Sequence, residues 1–255
     1  MKLLTALRAE MLKTKKTSSF YFTLLGAVPV PLIFLLNVLT GGGDVDAIHK
    51  GSLNAVFELG MERNGLVFFP LFVILVCTLL PQVEYRNNTW KQVFAAPQTK
   101  GNIFLAKFLN INRLILLFLL ASLVYLSVVA VAIHFTDPAR DLFSQPFSVL
   151  QVLVQTFNSY VTMLAICAFQ FWLGLRFRNF VVPVAIGLGL WITGMMMTIE
   201  FHSGMIDYFP YSIQIFPFIK QMQPKLSQVA WTSVGYACSF LLLGFQDFKR
   251  RRLTA

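Results

Sequence analysis

Six stretches of this chain, at about 19–40, 65–83, 114–134, 147–175, 180–199 and 226–246, are apolar and contain no Asp, Glu, Lys or Arg. Each reaches or approaches the roughly 20 residues that a helix rising about 1.5 Å per residue needs to cross a hydrocarbon layer about 30 Å thick. In lipid every backbone amide and carbonyl has to be satisfied within its own segment, so six helices are the economical solution. Ten-residue strands with strict apolar/polar alternation are absent, which argues against a barrel. The chain therefore reads as an all-α membrane protein, one transmembrane domain over residues 1–255. The composition agrees: only 13% of residues are charged against 56% hydrophobic, about half the charge of a soluble domain. A soluble enzyme, a disordered chain and a disulfide-rich secreted module are all excluded on that ground.

The first apolar stretch begins after some 18 residues and is too long for a signal-peptide core, so it is expected to remain as a helix, kinked at Pro29 and Pro31. The net charge of +10 would suggest a nucleic-acid partner in a soluble protein. Sorted by side, it means something else. With the N-terminus in the cytoplasm, sixteen of the 21 basic residues fall inside with only Glu10, Glu84 and Asp247, giving +13 there and −3 outside. That asymmetry is a topology signal, and no nucleic-acid partner is implied. Cys77, Cys167 and Cys238 each fall in an apolar stretch and read as small packing residues.

Between the stretches, residues 1–17 place Leu4, Leu7 and Met11 at helical spacing against a basic side, the pattern of an interfacial helix on an anionic leaflet. Residues 84–107, EYRNNTWKQVFAAPQTKGNIFLAK, form the longest connection on the basic side. They read as a short amphipathic helix carrying Trp90, Val93 and Phe94, stopped at Pro97 and followed by a turn at Thr99-Lys100-Gly101. An exposed Trp on such a loop is expected to dip into headgroups or to dock on a soluble partner. Residues 201–225 carry six aromatics broken by three prolines, which fits either an aromatic anchor loop or a segment that re-enters the membrane. On the same outer side, residues 47–61 are expected to form a separate surface helix.

Inside the membrane, Gln151, Gln155, Asn158 and Thr162 recur at spacings that put them on one helix face. Amides in hydrocarbon are costly, so this stripe should face other helices, a second subunit or a water-filled path. Gln228, Thr232, Tyr236 and Ser239 form a weaker stripe in the last stretch, where Gly235 and Ser239 read as a small-xxx-small packing pair. No chemistry of hydrolysis or metal binding is legible. There is no H-E-x-x-H and no G-x-S-x-G, and the three histidines, His49, His134 and His202, lie near the outer side without ligand spacing. No carboxylate pair lies in a span, which weakens an ion-coupled carrier.

The six spans together with Glu84, Asn88-Thr89, Pro97 and Lys100 resemble the transmembrane subunits of type-2 ABC exporters. Those permeases have an N-terminal elbow helix, a cytoplasmic coupling helix between spans 2 and 3, and re-entrant helices between spans 5 and 6. The EYRNNTWKQ variant is most similar to permeases for self-protection against lantibiotics and bacteriocins, with Asn88 standing where many relatives have Gly. The resemblance implies a bacterial cytoplasmic (inner) membrane protein with both termini inside. It implies a loop of Glu84, Arg86, Thr89, Trp90, Lys91, Phe94, Pro97 and Lys100 that couples to two copies of an ABC ATP-binding subunit. It implies a second permease chain, identical or paralogous, and export of an amphipathic peptide, a lipid or a hydrophobic compound. The chain has no G-x-x-x-x-G-K-[ST] loop, so it should bind no cofactor, with ATP and Mg2+ on the partner. A non-ABC membrane protein, an intramembrane enzyme or a sensor component, is the alternative.

Overall fold

The computed structural model describes residues 3–40, 52–95, 97–136, 142–200 and 204–250, apart from the side chain of Phe94. Every regular element among them is helical. A short α1 (Leu3–Thr14) leads into the first span, which is split into α2 (Ser18–Gly26) and α3 (Pro29–Leu39). The break at Ala27-Val28 follows from Pro29, which opens α3 because its ring fixes φ and its missing N–H costs nothing in a first turn.

Two spans are longer than the apolar pattern alone defines. α4 (Leu53–Arg63), a π turn (Asn64–Phe68) and α5 (Phe69–Arg86) make one helical run of 34 residues. The expected surface helix is thus the outer extension of the second span, at least from Leu53 onward; residues 47–51 lie outside the described residues. Its charges are accommodated at the rim: Glu58 pairs with Lys220 at 3.3 Å, and the Arg63 guanidinium lies 4.9 Å from the Phe34 ring. The third span is α7 (Lys100–Thr136), 37 residues long, which brings Lys107 and Arg113 into the helix. α8 (Val149–Arg176), α9 (Val181–Ile199) and α11 (Leu226–Arg250) complete six helices long and apolar enough to cross a membrane.

α8 and α11 run parallel, in register. Ser233 faces Thr162, Gly244 faces Trp172, and Asp247 pairs with Arg176. The Ser233 hydroxyl donates to the Val161 carbonyl at 2.8 Å and accepts from the Ala165 amide at 3.2 Å. Ser233, Ala237 and Gly244 form this seam, because small side chains let two backbones approach where lipid supplies no hydrophobic drive. Gly235 and Ser239, expected to pack closely, lie instead on the exposed face, and nothing comes within 4 Å of a Cβ at Gly235. Cys238 shares that exposed face, whereas Cys77 and Cys167 are buried with their sulfurs 3.7 Å apart.

The aromatic segment after α9 turns back into the bundle. Its one turn of helix, α10 (Pro210–Ile213), sets the Tyr211 carbonyl against Gly194, five residues below the end of α9. Tyr211 and Phe216 are fully buried, and Gln170 Nε2 donates to the Tyr211 hydroxyl at 2.8 Å. A headgroup anchor loop would leave these rings exposed, so the re-entrant alternative describes the fold.

The main core joins α5 and α7 through a stack of Phe72 on Phe118, centroids 4.3 Å apart, with Phe69 beside it. Gly174 seats α8 on α5, since an added Cβ would fall 2.7 Å from the Cys77 carbonyl oxygen. Gly174→Leu is expected to cost about 1–3 kcal/mol by overpacking, whereas Gly189→Leu, in open space, should stay within about 0.5 kcal/mol. Thermal unfolding of the two variants in detergent measures the difference.

Candidate functional site

The connection between α5 and α7 lies at the end of the bundle where α1 and the C-terminal end of α11 also arrive; we call it the basic end. α5 stops in a Schellman turn: the Thr89 amide donates to the Glu84 carbonyl and the Asn88 amide to the Tyr85 carbonyl. This turn needs a left-handed residue, and Asn88 supplies it with φ of 51°. Asn reaches that region more readily than other residues with a side chain, so it serves where glycine would. α6 (Trp90–Ala95) follows directly. Pro97 lies exposed in a bend, and Thr99 caps α7 by accepting from the Asn102 amide at 3.2 Å. The expected turn at Thr99-Lys100-Gly101 is therefore a helix start, because Thr99 satisfies an amide of its first turn.

Beneath the connection is a cluster of charge. Glu84 and Lys107 are both more than nine-tenths buried and pair at 2.5 Å. Lys107 also reaches Glu10 of α1 at 3.1 Å, and Lys13 of α1 bridges Glu10 at 2.8 Å and Glu84 at 3.1 Å. Two carboxylates and two ammonium groups thus balance in a closed ring. Thr14 extends it, its hydroxyl 3.3 Å from Asn110 Oδ1 and accepting from Arg113 Nη2 at 2.8 Å. Desolvation pushes the Glu10 carboxyl up, but Lys107 and Lys13 outweigh it and hold its pKa below the usual 4.5. Burial pulls Lys13 down, but Glu10 and Glu84 outweigh that and raise it above 10.5.

The sequence reading picked out Glu84 but not Glu10, Lys13 or Lys107. Their sequence separations, 97 between Glu10 and Lys107 and 71 between Lys13 and Glu84, leave no local pattern. The one available signal was Glu10 itself, a lone acid in a basic, amphipathic N-terminal segment.

Trp90 neither dips into headgroups nor points at a partner. It is 9% exposed, its ring centroid 5.3 Å from Tyr85 and 5.9 Å from Phe248, with Lys107 Nζ 5.4 Å above it. Trp90 and Val93 of α6 pack inside the chain, where Phe248 near the end of α11 helps to cover Trp90. Lys100 donates to the Lys249 carbonyl at 2.9 Å, fastening α7 to the end of α11. Gln82 donates to the Phe177 carbonyl at 2.8 Å and Tyr85 to the Leu175 carbonyl, fastening α5 to α8. Arg86 and Lys91 remain exposed, and Thr89 is half-buried. Thr89, Glu84 and Lys13 border an open cleft of about 520 Å3 between α1 and the connection.

The structure does not join the polar stripe of α8 to this end. Gln151 is exposed, Gln155 and Asn158 are half-buried, and Thr162 is buried, its hydroxyl donating to the Asn158 carbonyl at 3.0 Å. The side-chain amides of Gln155 and Asn158 make no hydrogen bond among the described residues. The polar contact between α8 and α11 is made by Ser233, whose hydroxyl reaches the Val161 and Thr162 carbonyls, while Ser159 bonds to the Gln155 carbonyl of its own helix. No group of three or more potential metal ligands occurs among the described residues.

Two outcomes test this geometry. Lys107→Met leaves Glu84 and Glu10 short of a buried partner and should cost about 3–5 kcal/mol, read by thermal unfolding. The contribution of Glu10 is present above pH 4.5 and is lost as pH falls through its depressed value; that of Lys13 is present below pH 10.5 and lost above its raised value. The contributions of Glu10 and Lys13 should therefore both be constant across neutral pH. At the turn, Asn88→Gly should be tolerated, whereas Asn88→Val should lose about 1–2 kcal/mol in the same assay.

No curated protein matches the chain. The model of the family described as ABC-2 family transporter protein matches residues 6–194. That span runs from α1 through most of α9 and takes in the whole charged ring and the connection above it. The chain belongs to the ABC-2 transporter family.

Proposed function

We propose that this chain is the permease subunit of an exporter in which residues 84–100 receive the movement of an ATP-binding subunit and pass it to the spans. Membership of the family makes it a multi-pass membrane subunit of a transporter, not itself catalytic, that works with an ABC ATP-binding subunit. The observation that carries the coupling role is the fastening of this short connection and of the helix ends on either side of it. The end of α5 holds α1 through Glu84 and α8 through Gln82 and Tyr85, Lys107 of α7 pairs with that same Glu84, and α11 is held by Trp90 of α6 and Lys100 at the start of α7. A push on the exposed face of α6 has no slack to absorb it. Arg86 at the end of α5 and Lys91 of α6, both exposed, suit an acidic surface on the partner. Thr89, Phe94 and Pro97 belong to the same face of contact in this reading.

In the full transporter two ATP-binding subunits, holding ATP and Mg2+, and a second permease, identical or paralogous, complete the assembly. The basic end faces the cytoplasm of a bacterial cell, by the excess of Lys and Arg there. The unpaired amides of Gln155 and Asn158, with Gln151 and Thr162, face the second permease or the path between the two, because hydrocarbon would penalise them. An amphipathic peptide antibiotic is the cargo class that an apolar bundle with one amide stripe serves best, ahead of a lipid or a hydrophobic drug.

Arg86→Glu combined with Lys91→Glu changes only exposed side chains. It should leave membrane insertion and thermal midpoint unchanged while copurification of the ATP-binding subunit falls about tenfold or more. Undiminished copurification would remove the coupling face. In the reconstituted pair, ATP hydrolysis should rise with an amphipathic cationic peptide, and Gln155→Leu with Asn158→Leu should abolish that rise. Hydrolysis indifferent to both permease and peptide counts against export of such a cargo.

A further inference from the structure

At the corner where α1, α2 and α5 meet, a cavity of about 190 Å3 opens beside the charged ring, and neither the ring nor the coupling face accounts for it. One wall is apolar, formed by Leu80 and Val83. The facing wall is a run of hydroxyls at the α1–α2 junction, Thr14, Thr17, Ser18 and Ser19. The Thr17 hydroxyl is turned away, donating to the Thr14 carbonyl at 2.9 Å, so no side chain caps the first turn of α2. The hydroxyls of Ser18 and Ser19 make no hydrogen bond among the described residues.

The charge around the cavity is uneven. Lys13 and Lys107 already offset Glu10 and Glu84. Beyond that balance stand three more cations. Arg113 lies directly behind Thr14 and pairs with no carboxylate among the described residues. Lys15 and Lys16 are exposed on the turn, with Lys16 held at φ of 55°. A group with negative charge is therefore favoured over the junction, where cations and open helix amides coincide. Glu84, which borders the same cavity, adds the opposite demand. Its side chain is 6% exposed and its Oε2 has no hydrogen-bond partner among the described residues, so the occupant must also bring a donor. On the helices that meet here, Leu12 of α1, Tyr21 and Leu25 of α2 and Val83 of α5 are exposed, at 46–69%. This corner lies where the first span begins and the second ends.

We propose that this corner binds the headgroup of an anionic glycerophospholipid whose phosphate is followed by a polyol. The phosphodiester lies against the Ser18 and Ser19 hydroxyls, the open first turn of α2, and Lys15 and Lys16. A hydroxyl of the terminal glycerol donates to Glu84. The acyl chains run along Leu25 and Tyr21. A free phosphate would satisfy the cations but not Glu84 or the apolar mouth. The bound lipid pins the junction between α1 and the first span, which makes the charged ring sensitive to the leaflet around it. The inference does not depend on the exporter reading, since its test reads lipid retention by the permease alone.

The full chain is reconstituted in nanodiscs of phosphatidylcholine with one fifth phosphatidylglycerol, repurified in mild detergent, and its retained lipid measured by mass spectrometry. Phosphatidylglycerol should be enriched about tenfold over phosphatidylcholine, the effect of one to two neighbouring cations at a membrane surface. Ser18→Asp places a carboxylate in the first turn of α2, which favours the helix while repelling a phosphate, so it should abolish the enrichment at unchanged thermal midpoint. Lys15→Gln with Lys16→Gln, on an exposed turn, should reduce it severalfold and serves as the second variant should Ser18→Asp disturb the fold. Enrichment undiminished in a folded variant means diffuse attraction by the basic end and overturns the site. Displacement of the lipid by millimolar inorganic phosphate overturns the lipid as occupant.

Discussion

The closed ring of Glu10, Lys13, Glu84 and Lys107 is the interaction on which the basic end depends. Burying a charge costs several kcal/mol unless it is paired, and a broken buried pair costs more than an apolar replacement would. Each member here has at least one opposite partner within 3.1 Å. None can therefore be moved without exposing another. The ring fixes where α1 lies, where the second span ends and where the third begins. From those three positions the connection above it, the cleft beside it and the cavity behind it all follow.

The rest of the bundle is held by means suited to lipid. Hydroxyls within the spans bond to carbonyls of their own helices, as Thr78 does to Ile74 and Ser122 to Phe118, so that few polar groups need partners elsewhere. Close contacts are made at glycine: Gly174 against the Cys77 backbone, Gly194 against Tyr211 and Gly244 against Trp172. The π turn at Asn64–Phe68 is a local exception in which Asn64 donates to Ser122 at 3.1 Å and the Phe218 ring rests on Gly65. The re-entrant segment is thereby keyed into both the second and the fifth spans.

Family membership and geometry speak to different questions. The family makes the chain a transporter's membrane subunit. The geometry gives that subunit a tightly fastened connection at one end and, in the half-buried amides of Gln155 and Asn158, polar groups without a hydrogen bond among the described residues farther along the bundle.

Hydrophobic length and charge asymmetry are properties of residues close in sequence, and they determined the six spans, the helical class and the basic end. The position of the connection after Glu84, on the basic side, was legible for the same reason. Span limits were set too short where a helix continues past the lipid, as at Leu53 and Lys100, because helical hydrogen bonding does not stop where hydropathy does. Trp90 was misread as outward-facing because its cover, Phe248, comes from the far end of the chain. Gly235 and Ser239 were assigned to the packing seam on spacing alone, whereas Ser233, Ala237 and Gly244 occupy it; which face of a helix meets a neighbour is fixed by the neighbour. Only the tertiary structure could bring Glu10 and Lys13 to Glu84 and Lys107. The attraction between buried charges depends on distance in space, and sequence separation carries no trace of it.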